Sequence, residues 1–181
     1  MSKVYVFLAE GFEEIEGLTV VDLLRRAKVE TEMVSIMKGK QINGSHGIKV
    51  TADRMFEDVD FSDADLLVLP GGMPGTLNLG NHEGLCELLK KHYAENKMIA
   101  AICAAPSVFG QLGFLNGRIA TCYPGFENKL EGAIVCATKV AVDGNVTTSK
   151  GLGTAIDFSL KLIEQLVDQQ TALEISQGIM Y

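Results

Sequence analysis

The feature that most restricts how this chain can fold is a series of short, nearly uninterrupted apolar runs, each followed by a segment with helical spacing. Val4 to Ala9 is apolar on what would be both faces of a strand, a pattern that suits a parallel sheet covered on both sides. Ile15, Leu18, Val21 and Leu24 then recur at helical spacing, with Arg25-Arg26 in the last turn, and predict a helix over 15–27. Further on, the pattern predicts a strand at 32–36, a hairpin of 41–44 with 48–50 around Asn43-Gly44, and a buried strand at 65–69 that stops at Pro70-Gly71-Gly72. A helix over 82–95, a strand over 98–102 and a helix over 104–112 follow, Pro106 falling in the first turn of the last. Strands are expected at 118–122, 133–137, 139–142 and 145–148, and helices at 154–167 and 170–177.

Strands alternating with helices imply an α/β, flavodoxin-like three-layer sandwich, with a mostly parallel sheet and helices on both faces. At 181 residues the chain suits one domain, 1–181, large enough to bury a core without disulfides or a structural metal. Its formal charge of −7 offers nothing to a phosphate backbone, so nucleic-acid binding is not expected. No signal-peptide pattern opens the sequence, and the longest apolar stretch, 98–115, is interrupted by Pro106, Gly110 and Gly113; the expectation is a cytoplasmic protein with no membrane partner. Cys86, Cys103, Cys122 and Cys136 form no CxxC and have no histidine at ligand spacing, so no metal site is expected. Gly151-Leu152-Gly153 lacks the third glycine of a dinucleotide loop, and no cofactor is expected either.

In such a fold ligands bind beyond the carboxyl ends of the strands. Three segments reach that edge with unusual chemistry: Glu10 to Glu16, Gly71-Gly72, and Cys103. Cys103 lies between a strand and a helix in Ala100-Ala101-Ile102-Cys103-Ala104-Ala105-Pro106, where small residues allow a tight turn. Unpaired N–H groups at the start of that helix would favour a thiolate.

Four motifs in register, residues 9–16 (AEGFEEIE), 68–72 (VLPGG), 100–106 (AAICAAP) and 148–154 (TSKGLGT), resemble the ThiJ/PfpI superfamily in its DJ-one-like branch, a class I glutamine amidotransferase-like domain. The resemblance implies a reactive Cys103 with Glu16 as its acidic partner, and oxyanion donors at the backbone N–H groups of Gly72 and Ala104. Gly71 and Tyr123 would line the site. A thiolate beside a carboxyl requires the carboxyl to hold its proton, so Glu16 is expected to be neutral at pH 7 with a raised pKa. Glu13 and Glu14 are read as solvated first-turn residues, and His46, His82 and His92 as solvated side chains. Many members carry His where this chain has Tyr123, and a hydroxyl cannot shuttle a proton near neutrality as an imidazole does. Cys86 and Cys136 read as packing residues, and Cys122 could resolve an oxidised Cys103 only across a Cα separation within about 7 Å. Family members are commonly homodimers, which would place the first helix and Arg25-Arg26 at an interface.

The resemblance favours an enzyme acting on a small reactive carbonyl, a 2-oxoaldehyde, in the manner of a glyoxalase or deglycase. The alternative is a sensor of oxidative stress, or a redox chaperone, in which an oxidant modifies Cys103. A cysteine peptidase or amidotransferase ranks last, because no histidine stands where a base is needed.

Overall fold

The computed structural model describes residues 2–181. In chain order the elements are β1 (Lys3–Leu8), α1 (Glu14–Arg26), β2 (Glu30–Ser35), the hairpin β3 (Gln41–Asn43) and β4 (Lys49–Thr51), β5 (Arg54–Met55), β6 (Leu66–Leu69), α2 (Gly75–Asn81), α3 (Glu83–Ala94), β7 (Met98–Ile102) and α4 (Pro106–Gln111). The last third contributes β8 (Ile119–Ala120), β9 (Ile134–Val135), β10 (Val140–Asp143), β11 (Val146–Ser149), α5 (Ala155–Leu166) and α6 (Gln169–Gly178). Seven strands form one sheet in the order β10-β11-β7-β6-β1-β2-β5. Every pairing in it is parallel except β10 with β11. The flavodoxin-like sandwich expected from the alternation is the observed fold.

Two cores flank the sheet, and alternation along each strand decides which residue enters which. Tyr5, Phe7, Leu67, Leu69, Ile99 and Ala101 face one side, where Leu85 and Leu89 of α3 and Val108 and Phe109 of α4 cover them. Val4, Val6, Leu66, Val68, Ala100 and Ile102 face the other, beneath α1, α5 and α6. Phe158, Leu162 and Ile163 on α5 are almost wholly buried there, each worth roughly 1.5–3 kcal/mol of transfer free energy. Both faces of β1, β6 and β7 are therefore lost to solvent, and only their carboxyl ends are open to chemistry.

Several expectations need correction. No helix was expected between the strand at 65–69 and the helix at 82–95, yet α2 occupies Gly75–Asn81. Its composition, with glycine at both ends, hides it; a Cβ at Gly75 would lie 2.7 Å from the Phe12 backbone, so close packing demands the glycine that obscures the helix. The strands expected at 118–122 and 133–137 shrink to two residues each and pair with one another outside the main sheet. Helix α4 begins at Pro106, because 103–105 form a turn. Among the described residues no helix is long and apolar enough to cross a membrane.

Candidate active site

Three adjacent strands, β7, β6 and β1, deliver the segments that the sequence marked. Cys103 follows β7 directly and adopts φ 66°, a left-handed conformation that costs a non-glycine residue about 1 kcal/mol or more. It persists because both of its peptide groups are tied: Cys103 N–H donates to Ser149 O at 2.9 Å, and Tyr123 N–H donates to Cys103 O at 2.8 Å. The turn tips the sulfur out of the strand line, toward the segments after β6 and β1.

Glu16 approaches from the first turn of α1. Its own N–H donates to Glu13 Oε2 at 2.8 Å, the N-cap bond of the helix, and its Oε2 accepts the Gly71 N–H at 3.0 Å. Glu16 is 1 % exposed, and its carboxyl is hydrogen-bonded to Cys103. Gly71 is a geometric necessity here, since a Cβ on it would lie 2.5 Å from Cys103 Cβ and 2.7 Å from Glu16 Oε2. Gly72 takes φ 89°, and its N–H and that of Ala104 lie near enough to the Cys103 sulfur to favour its thiolate form. Gly151 closes the far side: a Cβ there would meet the Tyr123 ring at 3.2 Å and Glu16 Oε1 at 3.6 Å. Tyr123, half exposed, thus forms the rim of the site.

Burial raises the Glu16 carboxyl from 4.5 to about 7, against the opposing effect of its hydrogen bond to Cys103. Burial also pushes the Cys103 thiol up to about 12, and the Glu16 charge adds to that rise. The N–H groups of Ala104 and Gly72 do favour the thiolate, as expected, but they are outweighed. The two groups therefore act as one unit: it loses a first proton near 7 and a second near 12, and between those values it carries one proton and one negative charge.

The structure joins Cys103, Glu16, Gly71, Gly72 and Ala104 in one place and sets Tyr123 at its edge. It also corrects the reading of the neighbouring charges. Glu13 and Glu14 are buried, at 8 % and 1 % exposure, rather than solvated. Glu14 Oε1 accepts N–H groups from His46 at 2.8 Å and Ile48 at 3.3 Å, and its Oε2 contacts His46 Nδ1 at 3.0 Å, so it fastens the β3–β4 hairpin to the start of α1. These bonds hold the Glu14 carboxyl down at about 2 in spite of its burial. Among the histidines, His92 is buried, and His82 caps α3 by accepting the Leu85 N–H at 3.0 Å. Leu152, whose N–H also stabilises the Glu16 charge, carries no side-chain signal that sequence could have offered.

Cys122 lies in the core on the α3–α4 side of the sheet, whereas Cys103 packs against the opposite core. Arg25 is engaged within the chain, donating to Thr31 O at 3.0 Å and to Asp53 Oδ2 at 2.6 Å, and Arg26 pairs with Asp22 at 2.7 Å.

Comparison with known proteins finds relatives along almost the whole chain. A family model described as the DJ-1/PfpI family matches residues 2–165. Protein DJ-1 homolog B of Arabidopsis thaliana is 39% identical over 176 residues, 96% of this chain but 40% of that protein, so the chain spans less than half of that relative's length. A protein of Pyrococcus abyssi named as a deglycase is 35% identical over 167 residues, 91% of this chain and 99% of its own length. The solved structure of Toxoplasma gondii DJ-1 in an oxidised form superposes with a TM-score of 0.96 at 36% identity, covering 100% of this chain and 99% of that one.

Proposed function

The chain belongs to the DJ-1/PfpI family, and on that premise we propose that it is an enzyme that converts 2-oxoaldehydes, free or as protein adducts, through Cys103 and Glu16. The observation that carries the reading is the buried pair itself: a thiol on a left-handed turn, a carboxyl raised to about 7 beside it, and two N–H groups at the sulfur. The name of the Pyrococcus abyssi relative supports the same class of substrate.

The chemistry follows from the geometry. Cys103 sulfur adds to the aldehyde carbon, and the thiol proton passes to the former carbonyl oxygen, giving a hemithioacetal. The Gly72 and Ala104 N–H groups stabilise that oxygen while it carries charge. Glu16 then takes the proton from the former aldehyde carbon and returns it to the adjacent ketone carbon, while the hydroxyl proton on the first oxygen passes to the second; the first carbon is thereby oxidised and the second reduced within one molecule. The product is a 2-hydroxyacyl thioester, which water cleaves to a 2-hydroxy acid and the free thiol. The balance closes with water alone, and no external oxidant or cofactor takes part. A carboxyl near 7 suits both halves of the transfer, because it is half protonated at neutral pH.

The test supplies methylglyoxal without glutathione to wild-type and Cys103→Ala protein and quantifies lactate. Lactate above background only in the wild type is expected; equal yields from the two would refute the proposal.

A second reading is favoured by the oxidised state of the Toxoplasma gondii structure. Here peroxide oxidises the Cys103 thiolate to a sulfenate and then a sulfinate, releasing one water at each step, and the product accepts hydrogen bonds from protonated Glu16 and the nearby N–H groups. Peroxide treatment followed by peptide mass spectrometry should add two oxygens at Cys103 before the other thiols. Homodimer formation belongs with the family reading, and a sedimentation measurement decides it.

A further inference from the structure

We propose that Glu13, Glu14 and His46 form a binding site for a divalent transition-metal ion of the zinc type, at the rim of the Cys103 site and independent of its thiol chemistry. The three residues come from two segments, the start of α1 and the β3–β4 turn, yet they bring one ligand atom each to within 4.8 Å of the others.

Charge gives the first reason. Glu13, Glu14 and Glu16 are buried carboxyl groups within one helical turn, and among the described residues no lysine or arginine forms an ion pair with any of them. Their single cationic neighbour is His46, which supplies charge only when protonated. Hydrogen bonds already compensate Glu14, but a buried carboxylate without a fixed countercharge is costly, and a bound cation would offset that cost at Glu13.

Glu13 gives the second, independent reason. Its side chain is nine-tenths buried, and Oε2 is used by the Glu16 N–H. Oε1 accepts no hydrogen bond among the described residues and faces His46 Nδ1 at 3.8 Å. Glu14 complements it: Oε1 is held by backbone N–H groups, which fix the carboxylate plane, while Oε2 accepts the Ser45 hydroxyl at 3.4 Å and is hydrogen-bonded to the same imidazole nitrogen at 3.0 Å.

The dimensions suit the ion. Metal–ligand bonds of about 2.1 Å in a tetrahedron place neighbouring ligand atoms about 3.4 Å apart. The separations from His46 Nδ1, 3.0 Å to Glu14 Oε2 and 3.8 Å to Glu13 Oε1, lie on either side of that value, and the two carboxylates, within 4.8 Å of each other, close around an ion by small side-chain rotations. For His46 to bind, its proton moves from Nδ1 to Nε2, and the imidazole is 69 % exposed, so Nε2 can hold that proton in water. One nitrogen and two carboxylate oxygens suit zinc and its neighbours, and the exposed side leaves a coordination position for water or a substrate oxygen.

Calorimetric titration with zinc chloride at pH 8 tests this in four proteins: wild type, Cys103→Ala, His46→Ala and Glu13→Gln. Circular dichroism and melting temperatures establish that each is folded. Wild type and Cys103→Ala should each take up one ion, and the two others should bind at least about tenfold more weakly. Cobalt loading should give visible d–d bands without the near-ultraviolet band of a cobalt–thiolate bond. No stoichiometric uptake by the wild type, uptake indifferent to His46→Ala, or uptake lost in Cys103→Ala would each overturn the assignment.

Discussion

Replacing Glu16 with Gln keeps the shape of the site and removes its ionisable carboxyl, and the consequence for Cys103 follows from the two ionisations. In the wild type Glu16 ionises near 7 and Cys103 only near 12, so between those values the single negative charge rests on the carboxylate and the thiolate is a small minority. In Glu16→Gln the neighbouring charge is gone and burial remains, so the Cys103 thiol moves down from about 12 toward the ordinary 9.0 without falling below it. The alkylation rate of Cys103 by iodoacetamide, followed on its own peptide by mass spectrometry across pH, should therefore be higher in Glu16→Gln than in the wild type at pH 9, by about tenfold for each pH unit the thiol moves. A wild-type profile that levels off near 7, or two profiles that superpose, would refute this account. Stability offers a check with its own sign. Because the Glu16 pKa is raised from 4.5 to about 7 on folding, the folded chain binds the proton more tightly, and stability falls as pH rises through that window, by about 3 kcal/mol at most. Glu16→Gln should flatten that decline in a series of thermal melts.

Two other substitutions probe the surroundings. Gly71→Ala places a methyl group 2.5 Å from Cys103 Cβ and 2.7 Å from Glu16 Oε2, so it should destabilise the fold by about 1–3 kcal/mol and abolish lactate formation even where the protein remains folded at the assay temperature. Retention of wild-type turnover would show that the two side chains need not be this close. Cys122→Ala should lower stability by about 1 kcal/mol through a small core void, while Cys103 alkylation and oxidation stay unchanged, because the two sulfurs belong to opposite faces of the sheet. A Cys103–Cys122 disulfide in the peroxide-treated wild type would contradict that separation.

How much of this could be read from the amino acids depends on the kind of signal. The strands at Lys3–Leu8, Leu66–Leu69 and Met98–Ile102 announce themselves by apolar runs, and their parallel pairing places their ends side by side. Cys103 was legible from its setting among alanines before Pro106, and Glu16 from the family motif. Helix α2 was not, because the glycine that lets it approach Phe12 erases its periodicity. The burial of Glu14 was hidden for a related reason: its partners are backbone N–H groups in a hairpin turn more than thirty residues away, and no residue type there signals them. Nor could the sequence weigh N–H groups against burial at the Cys103 sulfur, since the outcome depends on how deep the pair sits.

The Cys103 turn has a further consequence for the life of the molecule. Glu16, Gly71 and Cys103 are far apart along the chain and meet only when β1, β6 and β7 are paired. No local fragment contains the site, so a nascent or partly unfolded chain presents an ordinary cysteine and an ordinary glutamate. The raised Glu16 carboxyl is thus a certificate of the native state: a carboxyl signal that titrates near 7, followed by infrared spectroscopy, counts the folded molecules in a mixed population.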